Sequence, residues 1–507
     1  MKLKSFVTVL LVSLVLVSCA PVATIVSTET SIPGATITPV PPTPTITPSP
    51  MTTIEIEGLI IPDPRFSNPE LFDLENINAP IPQFVYAMNL AGVEIPPSAI
   101  NDGLIYKLVR THQGDVAILM VTTDEQATTY DESNFPLLVY SYYKGEQEWK
   151  AATIANMGAI ANKHTGSQVV WWKLDDKQYV DTLKQVADYV VIDGELNTQV
   201  LLPNGKDILL IEKIQQNQDL SEIDNMFDWV AADKIVRFAN QNGLKVQGHH
   251  LFVNWYMTDE VINGLKSGQI SYDDYEKFLQ VYTQTIVRHY SQDGLTIDEW
   301  TINEIPLALE WGDPDKILSR LVYDRRIITK LAGWAKEVNP DIRIIFNENN
   351  ILDIDSERQQ YIKVLKMALA DGAQIDEIGL QNHIWVYKFP SEIGLQKALA
   401  ELESLGLPIS STEATVSISD RNFFIDNDEK IKSIPPESLD FARAEIYAQL
   451  FKYIDRNAVF GFTDAVSMFE LEGDPTAKAM IFDNQFRPKL DVYKIMKAML
   501  ELLQEEF

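Results

Sequence analysis

The sequence predicts an α/β fold, a (β/α)8 TIM barrel with a small β-rich region on its N-terminal side. Three observations carry that prediction. From about residue 155 onward, short apolar runs alternate with segments of helical spacing, and eight such pairs can be counted. The runs are continuously apolar, as parallel strands buried on both faces are. The stretch 151–507 has room for a barrel of ~250 residues plus long loops. An open doubly wound sheet is the alternative, but no Gly-rich phosphate turn follows the first strand.

The pairs run in order as follows. Gln168 to Trp172 is the first strand, and Asp176 to Ala187 has helical spacing. Tyr189 to Asp193 is the second, followed by a helix over about 229–242. Lys245 to Leu251 is the third, with a helix near 272–290 that sets Phe278, Tyr282, Ile286 and His289 on one face. Thr296 to Glu304 is the fourth, with a helix over 317–338, and Ile342 to Asn347 is the fifth. The helix at 357–371 then presents Tyr361, Val364, Leu365, Ala368 and Leu369 as an apolar stripe. Ile375 to His383 and a helix at 391–405 make the sixth pair. Leu407 to Glu413 and a helix at 438–456, burying Phe441, Tyr447, Phe451 and Ile454, make the seventh. Val459 to Asp464 and a helix at 489–503 complete the set.

Ahead of the barrel the composition changes three times. Lys2 and Lys4 precede an apolar run, Phe6 to Val17, too short to span a bilayer comfortably and flanked like an export signal. It ends in Leu16-Val17-Ser18-Cys19, which resembles a bacterial lipoprotein signal, with Cys19 lipidated as the first mature residue. Ordinary cleavage near Ala20 is the alternative. Cys19 is the only cysteine, so no intrachain disulfide can form even in an oxidising compartment. Residues 1–19 are therefore expected to be the signal, and export to a cell-surface or membrane-anchored location follows. Residues 20–50 are rich in Pro and Thr (Pro39-Val40-Pro41-Pro42-Thr43-Pro44) and are expected to form an extended spacer. Residues 51–150 hold β-like runs at Val116 to Val121 and Leu137 to Tyr143 with no long amphipathic helix between them. They are expected to be a β-rich accessory region that binds carbohydrate, packs on the barrel or does neither.

Charge narrows the partners. There are 42 Lys and Arg against 72 Asp and Glu, a net −30, which excludes a phosphate backbone as a natural partner. A neutral partner such as a sugar polymer fits, and so does a merely solubilising surface.

In a barrel the C-terminal strand ends converge on the active site. The polar residues there are Glu195 after strand two, His249 and His250 on strand three, Asn303 and Glu304 on strand four, and Asn347 on strand five. Gln381 and His383 follow on strand six and Glu413 on strand seven. Their local spacings match no zinc motif such as His-Glu-x-x-His on a helix, so no metal is expected. Two carboxylates facing each other across the mouth suit glycoside hydrolysis, in which one donates a proton and the other attacks the anomeric carbon. Taken singly, either Glu reads as an ordinary ion-pair or helix-cap partner.

Several stretches resemble glycoside hydrolase family 10, the retaining β-1,4-xylanases. They are "FDWVAADKIVRFANQNGLKVQGHHL", "EWTINE", "NPDIRIIFNENN", "IGLQNH", "ISSTEAT" and "GFTDAVS", and they occur in the family's order over most of 155–507. The resemblance implies an endo-β-1,4-xylanase with Glu304 as acid/base and Glu413 as nucleophile. It implies that Asn303 meets the sugar 2-hydroxyl, that His249 binds the same sugar, and that His383 and Gln381 keep the nucleophile oriented. Glu195 would contact substrate too. No cofactor is implied, since two carboxylates and water suffice.

The sequence also departs from the family at its sugar-binding walls. Leu196 and Gln199 stand where the family has Asn and Lys, and Val253-Asn254 where it has Trp-His. Phe460 and Met468 replace two tryptophans, and Thr415 stands two after the nucleophile position. Trp255, and also Trp311 and Trp385, are candidate replacement platforms or ordinary packing. Xylan, another β-linked glycan, or a polysaccharide-binding lipoprotein with little turnover are the three functions these residues leave open.

Overall fold

Eight parallel strands close into a barrel in the computed structural model of the protein. It describes strands within 79–151 and residues 152–253, 257–311, 313, 315–418, 434–435, 438–463 and 479–505. The barrel strands are His164–Gln168, Tyr189–Ile192, Lys245–Val253, Glu299–Asn303, Arg343–Glu348, Glu377–Leu380, Ile409–Ser417 and Arg456–Val459. Each pairs with the next in chain order, and the eighth pairs with the first through Asn457 and Thr165, so no sheet edge is left open. Helices Lys177–Val186, Val230–Gln241, Tyr272–His289, Asp355–Ala370, Glu392–Glu403, Leu439–Tyr453 and Leu490–Glu505 follow the expected pattern. Their starts are chemically marked. Asp176 caps the first, Ser271 and Asp274 form a capping box on the third, and Ser391 caps the fifth.

Four of the boundaries that differ from expectation do so for a plain physical reason. Strand one is His164–Gln168, and the apolar Trp171–Lys173 is a 3-10 turn leaving its end. The strand reads as polar because its neighbour fills its space. A Cβ on Gly166 would lie 2.3 Å from the Tyr189 ring, so Tyr189 needs a glycine opposite it. Strand eight is Arg456–Val459, because Arg456 opens it as part of an ion cluster; the rest of the expected run reaches Asp464, which lies outside the described residues. The expected helix over 317–338 is broken into Ile317–Ser319, a π turn at Arg320–Asp324, and Ile327–Val338, with Arg326 left-handed at φ 57°. Strand four also starts late, because Leu295–Thr296 folds back on Ser291–Gln292.

The lower end of the barrel is tied by charge. Glu299, Arg343, Glu377 and Arg456 open strands four, five, six and eight. Arg456 donates to Glu377 at 2.9 and 3.0 Å and also to Glu299, while Arg343 reaches Glu377 and, at 3.4 Å, Glu299. Glu377 is fully buried and Glu299 nearly so. Charges this deep persist only when paired.

Within the stretch expected to be β-rich, Ala79–Pro80, Leu104–Arg110, Val116–Thr123, Leu138–Tyr143 and Glu148–Ala151 form a five-stranded antiparallel sheet in sequential order. Residues 1–50, with Cys19 and the spacer, lie outside the described residues. Among the described residues no helix is long and apolar enough to cross a membrane.

Candidate active site

Three backbone irregularities aim the polar residues at the barrel mouth. On strand three, Gly248 pairs with Trp300 and Phe252 with Ile302, so His249, His250 and Leu251 bulge opposite Thr301 alone. A Cβ on Gly248 would lie 2.6 Å from the Trp300 ring, so this neighbour also demands a glycine. On strand seven, Ser411 pairs with Asn457 and Ala414 with Val459, leaving Thr412 and Glu413 opposite Ala458. At the end of strand four, Glu304 adopts the left-handed region with φ 50°. That conformation costs a non-glycine residue about 1–2 kcal/mol and is retained only where surroundings enforce it. Here the Glu304 N–H donates to the Asn347 carbonyl at 3.1 Å, and its own carbonyl accepts from Ala308 to start the helix Ile305–Trp311.

Glu413 is the most heavily supported carboxylate of the mouth. It is buried, yet Asn347 Nδ2 donates to its Oε1 at 2.8 Å, and His249 Nε2 stands 3.1 Å from the same oxygen. His383 Nε2 lies 3.3 Å from Oε2. Burial alone would push this carboxyl up, but His249, His383 and Asn347 together hold it below the usual range. Burial keeps the His249 imidazole toward its neutral form. Its Nδ1 faces the Thr301 hydroxyl at 3.0 Å. Behind these, Asn347 donates to Asn303 Oδ1 at 2.6 Å and accepts from the Thr412 hydroxyl at 2.7 Å. Asn303 Nδ2 stands 3.1 Å from His249 Nε2. Gly379 makes this possible, since a Cβ there would lie 2.6 Å from Asn347 Oδ1.

Glu304 is half-buried and accepts from Gln381 Nε2 at 2.9 Å. Gln381 was expected to orient Glu413, and this corrects that expectation. Strand six breaks after Leu380, where the Gln381 N–H bonds to the Glu348 carbonyl of strand five. The break carries its amide toward strand four instead of strand seven.

Two further carboxylates close the mouth on the side of strand two. Burial pushes the Asp193 carboxyl well up, and the negative charges of Glu413, Glu195 and Glu304 add to the shift. Gln168 donates to it at 3.3 Å. Burial also raises Glu195, opposed by its own backbone N–H and that of Trp171. Asp193, His249 and His250 present ligand atoms within 4.8 Å of one another. Both His249 ring nitrogens already face polar partners, so this cluster fits hydrogen bonding better than a metal.

The remaining expected residues are scattered. Leu196 packs in the hydrophobic core and Gln199 is exposed. Phe460 is buried with its ring edge-on to His383 at 5.5 Å. Trp385 is half-buried; Trp255, Asn254 and Met468 lie outside the described residues, and Trp311 is placed only as the last residue of its helix. Asn347 stood among the strand-end residues without a role, while Asp193, Thr301 and Thr412 were not singled out. They come from four different strand ends, two, four, five and seven, and only the closed barrel brings them to one mouth.

Known proteins resemble this chain in sequence and in fold. A family model described as glycosyl hydrolase family 10 matches residues 147–498. The chain is 27% identical over 287 residues to a β-1,4-xylanase of Dictyoglomus thermophilum, covering 54% of this chain and 76% of that one. It is 28% identical over 290 residues to endo-1,4-β-xylanase B of Thermotoga neapolitana, covering 55% and 77%. The structure of native xylanase 10B from Thermotoga maritima superposes with a TM-score of 0.56 at 21% identity, over 70% of this chain and 99% of that one, a likeness of fold. With the match of the family model spanning most of the chain and the barrel closed around paired carboxylates, this protein belongs to glycosyl hydrolase family 10.

Proposed function

We propose that the chain is an endo-1,4-β-xylanase that cleaves xylan with retention of configuration. Glu413 attacks the anomeric carbon while the bond to the leaving oxygen breaks, and Glu304 gives its proton to that oxygen. Glu304 then takes a proton from water, the hydroxyl attacks the same carbon, and Glu413 leaves as carboxylate. Asn303 and His249 hold the sugar at the cleavage point, Glu195 contacts substrate beyond it, Gln381 orients Glu304, and His383 holds Glu413. The observation that carries this reading is Glu413 itself, a buried carboxylate kept ionised by Asn347 and two imidazoles.

Reducing-end release from xylan is expected, with the first product seen by NMR as the β-anomer. Release of the α-anomer would overturn retention. A second reading, the same chemistry on another β-linked glycan, is favoured by Leu196 in the core and Gln199 in solvent, which remove a polar clamp expected from the resemblance. Release from that glycan alone on a panel of polysaccharides would select it. Binding of xylan without any product would select a carbohydrate-binding lipoprotein.

The same reading places the enzyme outside the cell, anchored through a lipid on Cys19, with 20–50 as spacer, 51–150 as accessory region and 151–507 as catalytic domain. The full chain is expected to enter the detergent phase on Triton X-114 partition and to lose that behaviour in Cys19→Ala. An aqueous wild type would sink the anchor.

A further inference from the structure

Trp171 and Trp172 are the only exposed tryptophans among the described residues, 38% and 56% exposed. They form the 3-10 turn at the C-terminal end of strand one, on the barrel face that carries Glu304 and Glu413. Their ring centroids are 6.1 Å apart with planes at 89°, so the two indoles make a right-angled corner. Lys234 Nζ lies 5.7 Å from the Trp171 ring and is held by Asp175 at 2.6 Å, which props that ring as a fixed wall. The more exposed Trp172 is left as the floor.

The corner is joined to the mouth through backbone. Strand one runs into this turn, and its last residue, Gln168, donates from Nε2 to Asp193 Oδ2 at 3.3 Å, with Glu195 two residues beyond Asp193. A sugar chain leaving the cleavage point past Glu195 therefore meets the two indoles next. Exposed aromatic surface of this kind gains by being covered, and the ring faces suit the C–H faces of a β-linked pyranose. Asp193, Glu195, Glu304 and Glu413 make the adjoining mouth rich in carboxylates, which disfavours an acidic occupant and suits neutral units.

We infer that Trp171 and Trp172 form a distal sugar-binding subsite that holds a neutral xylose unit of the substrate chain, with Trp172 stacking beneath the ring and Trp171 walling its side. The inference deepens the proposed function and rests on it for the identity of the sugar. Two measurements separate their failures. In the full chain, Trp172→Ala is expected to lower the ratio of kcat/KM for xylohexaose to that for an aryl β-xylobioside about ten-fold, with Trp172→Phe recovering most of it. Binding of xylohexaose is then measured by calorimetry in Glu413→Gln, where turnover does not interfere, with and without Trp172→Ala. Ten-fold weaker binding supports the subsite even if wild type cleaves no xylan, an outcome that would sink only the xylanase reading. An unchanged ratio with unchanged binding overturns the subsite while leaving the xylanase reading intact. Absence of any xylohexaose binding overturns both.

Discussion

Glu413→Gln is expected to reduce kcat on xylan by roughly 10⁴-fold or more while leaving the circular dichroism spectrum of the fold unchanged. Gln keeps the shape and the hydrogen-bonding reach of the side chain but cannot attack carbon. Activity near wild type would exclude Glu413 as the nucleophile. A pH profile tests the same site more finely. Burial raises the Glu413 carboxyl, and His249, His383 and Asn347 outweigh burial, so its pKa in the folded enzyme is depressed. The attacking form is therefore present at neutral pH and is lost as pH falls through that lowered value. Asn347→Ala removes the 2.8 Å donor, so the Glu413 pKa rises and the acidic limb of kcat/KM moves to higher pH. A limb that stays in place would mean that another group controls it.

The largest stability loss is expected from Arg456→Ala, roughly 3–5 kcal/mol in the free energy of unfolding, read from urea midpoints. The guanidinium bridges Glu299 and Glu377 across the lower end of the barrel and lies over the Tyr189 ring at 5.0 Å. Burial pushes the Glu299 carboxyl up, and Arg456 is the first influence opposing it. Without the guanidinium, both glutamates stay in low dielectric with Arg343 as their remaining cation. Arg456→Lys restores charge but not the fork that reaches two carboxylates, so a partial recovery is expected. Because the cluster lies at the end opposite the mouth, KM is expected to change little at temperatures where the variant is folded. A loss under ~1 kcal/mol would show that the cluster is solvated in solution.

Strand count and helix placement were legible because period and burial are local properties. The stripe Tyr361, Val364, Leu365 and Ala368 is buried along its helix, and Tyr272–His289 hides Phe278, Tyr282 and Ile286 as its spacing predicts. Strand one was misplaced because its space is filled by Tyr189 from the neighbouring strand, so its own residues have no need to be apolar. Strand eight begins earlier than its apolar run because its polar opening residues find partners: Arg456 pairs with Glu377 and Glu299 on other strands, and Asn457 donates to the Ile454 carbonyl just before it.

By itself, the sequence determined that this is a barrel of alternating strands and helices with polar residues at the strand ends, and that Glu304 and Glu413 stand at two of those ends. Each of those facts follows from which residue types recur at which spacing. Only the tertiary structure decided how the polar residues meet. The two bulges and the left-handed Glu304 turn side chains that regular strands would aim elsewhere. The break after Leu380 carries Gln381 to Glu304 and leaves Asn347, together with His249 and His383, to hold Glu413 ionised. Register between strands decides such meetings, and register depends on the closed sheet as a whole, because a single extra residue in one strand redirects every side chain beyond it.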